Sequence, residues 1–380
     1  MLGVNTDINF LHDSARNQHW KSCLEKRTVT TSLDWLQWFS TANVQWHKHC
    51  SGLFVPFRSV LFCSVPLIHS FIHSFIHSLR RRMTVQHRGL IKGFAALCCF
   101  ASLSVQAGVL ERVAEGGKLV IAYRESSVPF SYIDSATGKP VGYALDLCLR
   151  MAELVRKKTG KKDMGIDLVP VTSANRVTMV AEGKADMECG STTNNAERRK
   201  LVAFTIPHFI TGARLLVKST SVVDRVEDLN GKKLVSTKGS TPLKAAVQAN
   251  RERLMGITIL EASDHAKAVE MVESGQADAF VMDDVLLYGL AAGRPDPKAL
   301  KIVGRFMTTE PLAIMLPKDD PEFKKLVDNE MRRLITSNEI HAIYDKWFTQ
   351  PIPPGNTALN LPVSYLLRDF WKYPSDKVPL

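Results

Sequence analysis

The chain has 380 residues and a formal charge of +11, but that charge is unevenly distributed. Residues 1–107 hold 11 Lys or Arg and 4 Asp or Glu, a net of +7, whereas the other 273 residues hold 38 and 34, a net of only +4. This excess is too small and too dispersed for a nucleic-acid-binding surface, which needs clustered Lys and Arg. The length and a hydrophobic content of 45% are typical of two soluble globular domains.

Cysteine use changes at the same point. Five of the seven cysteines lie before residue 108, and only Cys148 and Cys189 follow it. Neither lies in a spacing typical of a zinc site or a redox pair. We expect two ordinary buried thiols here rather than a disulfide, which only an oxidising compartment would favour.

Residues 83–107 have the pattern of a secretory signal peptide. A basic start is followed by an apolar run over 93–105, and small residues at Val105 and Ala107 suit a cleavage site. The run is shorter than the about 20 residues that a membrane-spanning helix needs. The sequence therefore predicts export and a mature chain that begins near Gly108.

The segment 1–82 is unexpected, because a signal peptide should begin its chain. It contains the repeat SFIHSFIHS and shows neither helical nor strand periodicity. We interpret it as upstream non-coding sequence, translated from a misassigned start codon. The alternative, a genuine extra anchor domain, would need a periodic pattern that could build a core.

The mature chain alternates between predicted strands and helices after an opening helix over 110–115. The first series comprises strands over 118–124, 166–171 and 186–189 with helices over 144–158 and 176–182. The second comprises strands over 215–218, 233–236, 257–260 and 279–282 with helices after Ser240 and Asp264. A strand over 312–316 and amphipathic helices over 321–336 and 340–348 follow, and the segment from Pro351 is not assigned.

Strand–helix–strand alternation is typical of a mostly parallel sheet covered by helices. Two such series predict an α/β fold of two lobes with a ligand cleft between them. Open α/β sheets bind ligands beyond the carboxyl ends of their strands. The candidate ligand groups are therefore the polar residues that directly follow predicted strands.

Three candidates follow the first two strands. Arg124 ends the first strand, and Ser173 and Arg176 lie three residues apart where a strand passes into a helix, so both can point at one spot. The alternatives are structural: Arg124 as a surface arginine that caps its strand, and the other two as a helix cap with a solvated arginine.

Ser191, Thr193 and Arg198 occupy the hydroxyl-rich segment CGSTTNNAERRK after the next strand. Backbone amides and hydroxyls in such a loop suit a carboxylate, and a guanidinium can bind it through two parallel hydrogen bonds. The neighbouring Arg199 is expected to be an ordinary solvated charge.

The second series supplies Thr241 at a helix start, where free amides favour anions, and His265 after Asp264. A histidine that caps or packs a helix is an equally good interpretation of His265. Asp283 ends an apolar strand, where its carboxylate could hold an ammonium group, and Asp284 competes with it for this role.

The sequence has no nucleophile elbow, phosphate loop, zinc-binding helix or dinucleotide fingerprint. The three histidines after residue 107 are too scattered for a metal site. We therefore expect a binding protein without metal or cofactor. An enzyme on the same scaffold would need a general acid near the cleft, for which Glu125, Glu188, Asp283 and His265 are the candidates.

Residues 108–380 resemble the periplasmic polar-amino-acid-binding proteins of ABC transporters, known as bacterial extracellular solute-binding proteins of family 3. The general family features are VPFSY, GYALDL, ESGQADAFVMDD and IYDKWF. RESSVPFSY, TSANR and ECGSTTNNAER are similar to the glutamate/aspartate-binding subgroup. The resemblance implies a first lobe over 108–212 and 308–380 and a second over 213–307, joined near Gly212 and Met307.

The resemblance also implies a role for each candidate. Arg198, with Ser191 and Thr193, would hold the α-carboxylate of L-glutamate or L-aspartate, and Asp283 would pair with its ammonium group. The side-chain carboxylate would be received by Arg124, Ser173 and Arg176, while Thr241 and His265 close from the second lobe. The implied partner is the permease of an ABC transporter in the inner membrane, and we expect a monomer. Two alternative functions remain: a dehydratase-like enzyme on the same fold that acts on a carboxylated cyclic substrate, and a ligand-sensing protein that docks on a membrane receptor.

Overall fold

Each of the two predicted strand–helix series folds into its own five-stranded sheet in the computed structural model, which describes residues 107–377. The two sheets lie in two lobes, which we call the first and the second lobe in chain order. The segments predicted as an upstream extension (1–82) and as a signal peptide (83–107) lie outside the described residues, except for Ala107. Within the described range, no helix is both long and apolar enough to cross a membrane.

The sheet of the first lobe has parallel strands at its centre and one antiparallel return. Its strands are β1 (Lys118–Tyr123), β5 (Gly165–Pro170), β6 (Met187–Cys189), β7 (Val202–Phe204) and β15 (Met315–Pro317). The strand order is β5-β1-β6-β15-β7, in which β15 runs antiparallel to both neighbours. A three-stranded antiparallel sheet lies after β1 and comprises β2 (Ser126–Ser127), β3 (Ser131–Asp134) and β4 (Lys139–Val141).

Helices cover the first-lobe sheet with apolar faces. They are α1 (Val109–Gly116), α2 (Tyr143–Thr159), α3 (Arg176–Ala181), α7 (Pro321–Thr336), α8 (Glu339–Phe348) and α9 (Tyr365–Lys372). Helix α7 shows why such a segment is helical: Asp320 caps it by accepting a hydrogen bond from the Phe323 amide at 2.9 Å, and Pro321 takes the first turn. Its buried residues Phe323, Val327 and Met331 recur at helical spacing and face the core.

The second lobe repeats the arrangement with five strands, β9 (Ala213–Lys218), β10 (Lys233–Thr237), β11 (Thr258–Ala262), β12 (Ala279–Asp283) and β13 (Leu300–Val303). Their order in the sheet is β11-β10-β12-β9-β13. Strands β10, β11 and β12 are parallel, and β9 runs antiparallel between β12 and β13. Its helices are α4 (Thr241–Arg253), α5 (His265–Glu273) and α6 (Asp284–Ala292).

A two-stranded antiparallel sheet marks the two places where the chain passes between the lobes. It consists of β8 (Phe209–Thr211), paired residue by residue with β14 (Glu310–Leu312). We call this pair the hinge sheet. At its edge Gly212 lies so close to the Thr308 carbonyl that a Cβ atom there would be 2.5 Å from the oxygen, and a larger residue would push the two crossings apart.

The predicted strand over 312–316 is wrong in its bounds, because the chain there changes its pairing partner. Residues 310–312 belong to the hinge sheet as β14, whereas 315–317 join the first-lobe sheet as β15. Ala313 lies between them, and its amide donates to the Thr192 carbonyl. Periodicity alone could not show a break that arises from two different neighbours.

The expectation of two free thiols is also wrong, since Cys148 and Cys189 form a disulfide. Cys148 lies on the buried face of α2 and Cys189 ends β6, which this helix covers. Their Cα atoms are 6.3 Å apart although their sequence separation is 41. The contact depends on the packing of a helix on a strand, which the spacing in the sequence does not reveal.

The unassigned C-terminal segment packs on the first lobe. Strands β16 (Pro351–Ile352) and β17 (Thr357–Ala358) form a short hairpin, and α9 buries Leu367 and Trp371. Further along, Asp376 accepts a hydrogen bond from Lys324 of α7 at 2.9 Å. The segment therefore completes the apolar core of this lobe.

Candidate functional site

The candidate residues of the first lobe meet because three parallel strands end side by side. Tyr123, the last residue of β1, pairs with Pro170 at the end of β5 and with Cys189 at the end of β6. The segments that directly follow these three strands carry all six first-lobe candidates. One edge of one sheet thus collects them.

The second lobe presents the matching edge of its own sheet. Thr237 at the end of β10 pairs with Ala262 at the end of β11, and β12 beside them ends at Asp283. Thr241 begins α4 and His265 begins α5, so both lie where a strand gives way to a helix.

Arg124 and Arg176 are buried together in the first-lobe edge. Arg124 is 1% exposed and Arg176 is 3% exposed. The Arg124 Nη1 donates a hydrogen bond to Ser173 Oγ, and the charge of Arg176 acts on Arg124. The alternative of solvated arginines is wrong, because both guanidinium groups are buried.

These two arginines carry a large electrostatic cost. Burial first, and then repulsion by Arg176, lower the pKa of Arg124 to about 9. Burial likewise lowers the pKa of Arg176, against the attraction of Glu188, whose carboxylate is 3.8 Å from its Nη1. Nε of Arg124 and both Nε and Nη1 of Arg176 find no hydrogen-bond acceptor among the described residues. Buried donors of this kind call for an anionic partner.

Arg198 lies at the boundary between the two lobes, which we call the seam. Its Nη1 donates to the Thr193 carbonyl at 2.9 Å, and its Nη2 donates to the Gly239 carbonyl of the second lobe at 3.1 Å. Burial, followed by repulsion from Arg176, lowers the pKa of Arg198 to about 10. Arg199 beside it is half-buried and donates to Asn194 Oδ1 at 2.8 Å, so the expectation of an ordinary solvated charge is wrong.

Ser191 and its loop lie against β2. The Ser191 hydroxyl is 3.4 Å from that of Ser127, a buried residue that sequence reasoning did not single out. Gly190 before it is tightly enclosed, since a Cβ atom there would lie 2.6 Å from Glu188 Oε1 and 2.8 Å from Cγ of Arg124. A glycine is therefore required for the loop to approach the buried arginine.

The structure also distinguishes Asp283 from Asp284. Asp283 is 3% exposed, and its Oδ1 has no hydrogen-bond donor within the described part of the chain. Burial, and next the charge of Glu310, raise its pKa well above the ordinary aspartate value. Asp284 instead accepts a hydrogen bond from Thr211, so its carboxylate is bound to the hinge sheet.

His265 is a buried ring rather than a helix cap. The cap of α5 is Asp264, which accepts from the Lys267 amide at 2.9 Å. The His265 Nδ1 lies 2.7 Å from the Thr237 hydroxyl, whereas Nε2 has no partner in residues 107–377. Burial, and then the charges of Arg124 and Arg176, hold the pKa of His265 well below its usual value, so the ring is neutral.

Thr193 and Thr241 meet across the seam at a residue that sequence reasoning missed. Their hydroxyl oxygens are 2.9 Å apart, and each donates a hydrogen bond to the carboxylate of Glu310. Because a hydroxyl has one proton, Thr193 cannot also donate to a ligand carboxylate from its side chain. The only sequence signal at Glu310 is an acidic residue at the edge of an apolar strand, in TTEPLAIML.

The lobes are closed on one another around these groups. A Cβ atom on Gly239 would lie 2.7 Å from the Ser173 carbonyl oxygen, and one on Gly289 would lie 2.5 Å from that of Val128. Separately, a cavity of about 460 Å³ between the lobes is lined by Glu125, Val128 and Gly289, among others, and by none of the nine site candidates. Across residues 107–377, no three His, Cys, Asp or Glu side chains are grouped so that they could hold a metal ion.

The family described as bacterial extracellular solute-binding proteins, family 3, matches residues 119–350. A "Glutamate/aspartate import solute-binding protein" of Salmonella typhimurium is 43% identical over 268 residues, which cover 70% of this chain and 88% of that protein. An "L-glutamate/L-aspartate-binding protein" of Pseudomonas aeruginosa is 41% identical over 270 residues, or 71% and 89% of the two chains.

Among solved structures, the chain is similar to the ancestral amino acid-binding protein AncCDT-1, described as a precursor of cyclohexadienyl dehydratase. The TM-score is 0.54 at 28% identity, and the match covers 63% of this chain and 99% of the other. The likeness agrees with the α/β fold of two lobes described above.

Proposed function

Because the chain belongs to family 3 of the bacterial extracellular solute-binding proteins, we propose that it captures L-glutamate or L-aspartate for import by an ABC transporter. The two curated relatives carry names that state glutamate and aspartate binding, and one of them names import. The buried charges of the cleft agree with a ligand of this class.

The observation that carries the proposal is the set of buried polar atoms with no partner in the described residues. Among these residues, Arg124 and Arg176 have buried donor atoms without an acceptor, and Asp283, whose charge acts on Arg176, has a buried acceptor atom without a donor. An acidic amino acid supplies what these groups lack: a side-chain carboxylate for the arginines and an ammonium group for the aspartate.

We assign the α-carboxylate to Arg198 and to the loop that carries Ser191 and Thr193. The guanidinium already lies against this loop through its bond to the Thr193 carbonyl. The side-chain carboxylate is assigned to Arg124, Ser173 and Arg176, and the ammonium group to Asp283. Thr241 and His265 close the site from the second lobe.

Three further elements belong to the proposal. The first lobe spans 108–212 and 308–380 and the second 213–307, which places every strand of each sheet in one lobe. The protein is secreted to the periplasm by the signal peptide over 83–107. It acts there as a monomer that delivers its ligand to the permease in the inner membrane.

Calorimetry of the protein, purified from the periplasm of an expressing bacterium, against a panel of amino acids tests this function. We expect saturable binding of L-glutamate and L-aspartate, much weaker binding of glutamine and no consumption of ligand. Tight binding of a cationic or apolar amino acid instead would contradict the proposal. Turnover of a carboxylated cyclic substrate would instead favour the alternative of a dehydratase-like enzyme. The likeness to AncCDT-1, described as a precursor of a dehydratase, is the reason to test for it.

A further inference from the structure

Glu310 is a buried carboxylate that the proposed ligand contacts leave unused. It lies on β14 of the hinge sheet and is 2% exposed. Its Oε2 accepts hydrogen bonds from Thr193 Oγ1 at 2.5 Å and from Thr241 Oγ1 at 2.7 Å. Since Thr193 belongs to the first lobe and Thr241 to the second, this triangle of side chains joins both lobes to the hinge.

The protons of the triangle can be counted. Each threonine hydroxyl has one proton to donate, and a carboxylate only accepts. Whether both hydroxyls donate to Glu310, or one donates through the other over the 2.9 Å between them, both protons are used inside the triangle. Glu310 therefore fixes the direction of both hydroxyls, which keep only lone pairs for any other partner.

The triangle depends on closure, because its two threonines come from opposite sides of the cleft. The bond from Arg198 to the Gly239 carbonyl crosses the same seam and would be broken by the same opening motion. Hydrogen bonds that exist only between closed lobes favour the closed form over the open one. They therefore act on the rate at which a ligand escapes rather than on the rate at which it arrives.

We propose that Glu310 is a positioning residue that latches the closed lobes by binding the hydroxyls of Thr193 and Thr241 across the cleft. This inference rests on the proposed function, since L-glutamate is the ligand in its test.

The surroundings of Glu310 support the assignment. Its negative charge raises the pKa of Asp283 and opposes the lowering of the pKa of Arg198. The Glu310 carboxylate therefore belongs to the cluster of charged groups in the site. A structural carboxylate elsewhere in the fold looks different: Glu330 is also buried, but it pairs with Arg333 on the same helix. Glu330 therefore provides a matched control for the loss of a buried charge.

The test is stopped-flow kinetics of L-glutamate with wild type, Glu310→Gln, Thr241→Val, the double variant and Glu330→Gln. We expect Glu310→Gln to raise the dissociation rate about tenfold to a hundredfold, the worth of a hydrogen bond to a charged group. The association rate should stay within about twofold, because the latch forms after encounter. A damaged fold would instead lower the fraction of binding-competent protein, which calorimetric stoichiometry reports.

The double variant separates a latch from a remote structural effect. If Glu310 acts through Thr241, the double variant should dissociate about as fast as the faster single variant. Fully additive effects, an unchanged dissociation rate in Glu310→Gln, or an equal change in Glu330→Gln would each overturn the inference. Failure of wild type to bind L-glutamate would overturn the proposed function, so the two failures are distinguishable.

Discussion

Arg176 is the group from which selectivity for an acidic side chain can be measured. Every α-amino acid presents the same carboxylate and ammonium groups, so Arg198 and Asp283 cannot discriminate between ligands. Arg176 is 3% exposed and has two donor atoms without an acceptor in the described residues. A hydrogen bond to a charged group contributes about 1.5–3 kcal/mol, which is roughly tenfold to a hundredfold in affinity. Arg176→Gln should therefore lower the affinity for L-glutamate by this factor, and it should lower the affinity for L-glutamine much less.

Calorimetry of both ligands against wild type, Arg176→Gln, Arg198→Gln and Arg199→Gln measures the effect. Arg198→Gln should abolish binding of both ligands, whereas Arg199, which donates to Asn194, serves as the control. Removing Arg176 also deprives Glu188 of a neighbouring charge, so thermal unfolding of each variant must accompany the titration. An equal loss for glutamate and glutamine in Arg176→Gln, or a loss in Arg199→Gln that matches Arg198→Gln, would refute the assignment.

Three further predictions concern stability and processing. Because burial raises the pKa of Asp283, ionising this carboxyl group destabilises the ligand-free protein as the pH rises above 3.8. The Asp283→Asn variant should therefore melt at a higher temperature than wild type at neutral pH, and the two melting temperatures should converge below pH 3.8. The variant should bind no ligand. The disulfide closes a loop of 41 residues and contributes about 4 kcal/mol to stability. A reductant, or the double variant Cys148→Ser/Cys189→Ser, should therefore lower the melting temperature by about 10 °C. The melting temperature of the double variant should not change when reductant is added. Mass spectrometry of the native protein should find a start near Gly108 and no peptide from 1–82; several such peptides would contradict the misassigned start.

Periodicity predicted the α/β class and most of the elements, because amphipathic helices and apolar strands keep their pattern wherever they pack. Helix α7 was expected over 321–336 and has those bounds. What depends on contacts between distant segments was not predictable. The disulfide requires α2 to lie on β6, and the break between β14 and β15 requires two different partner strands.

The candidate site shows the same limit. Residues that follow strands were identifiable because parallel strands end at a common edge, and the structure does bring Arg124, Ser173 and Arg176 together there. Asp283 and Asp284 could not be separated in sequence, since only the hinge bond from Thr211 shows which carboxylate is engaged elsewhere. Glu310 was missed for the related reason that its partners lie 117 and 69 residues away.

A crystal structure of the protein with L-glutamate would show directly whether the buried arginines receive the side chain of an acidic amino acid. We expect the side-chain carboxylate within hydrogen-bond distance of Arg124 and Arg176, the α-carboxylate at Arg198 and the ammonium group at Asp283. A ligand bound in the reverse direction, with its α-carboxylate on Arg124 and Arg176, or bound outside this cleft, would show that this assignment is wrong.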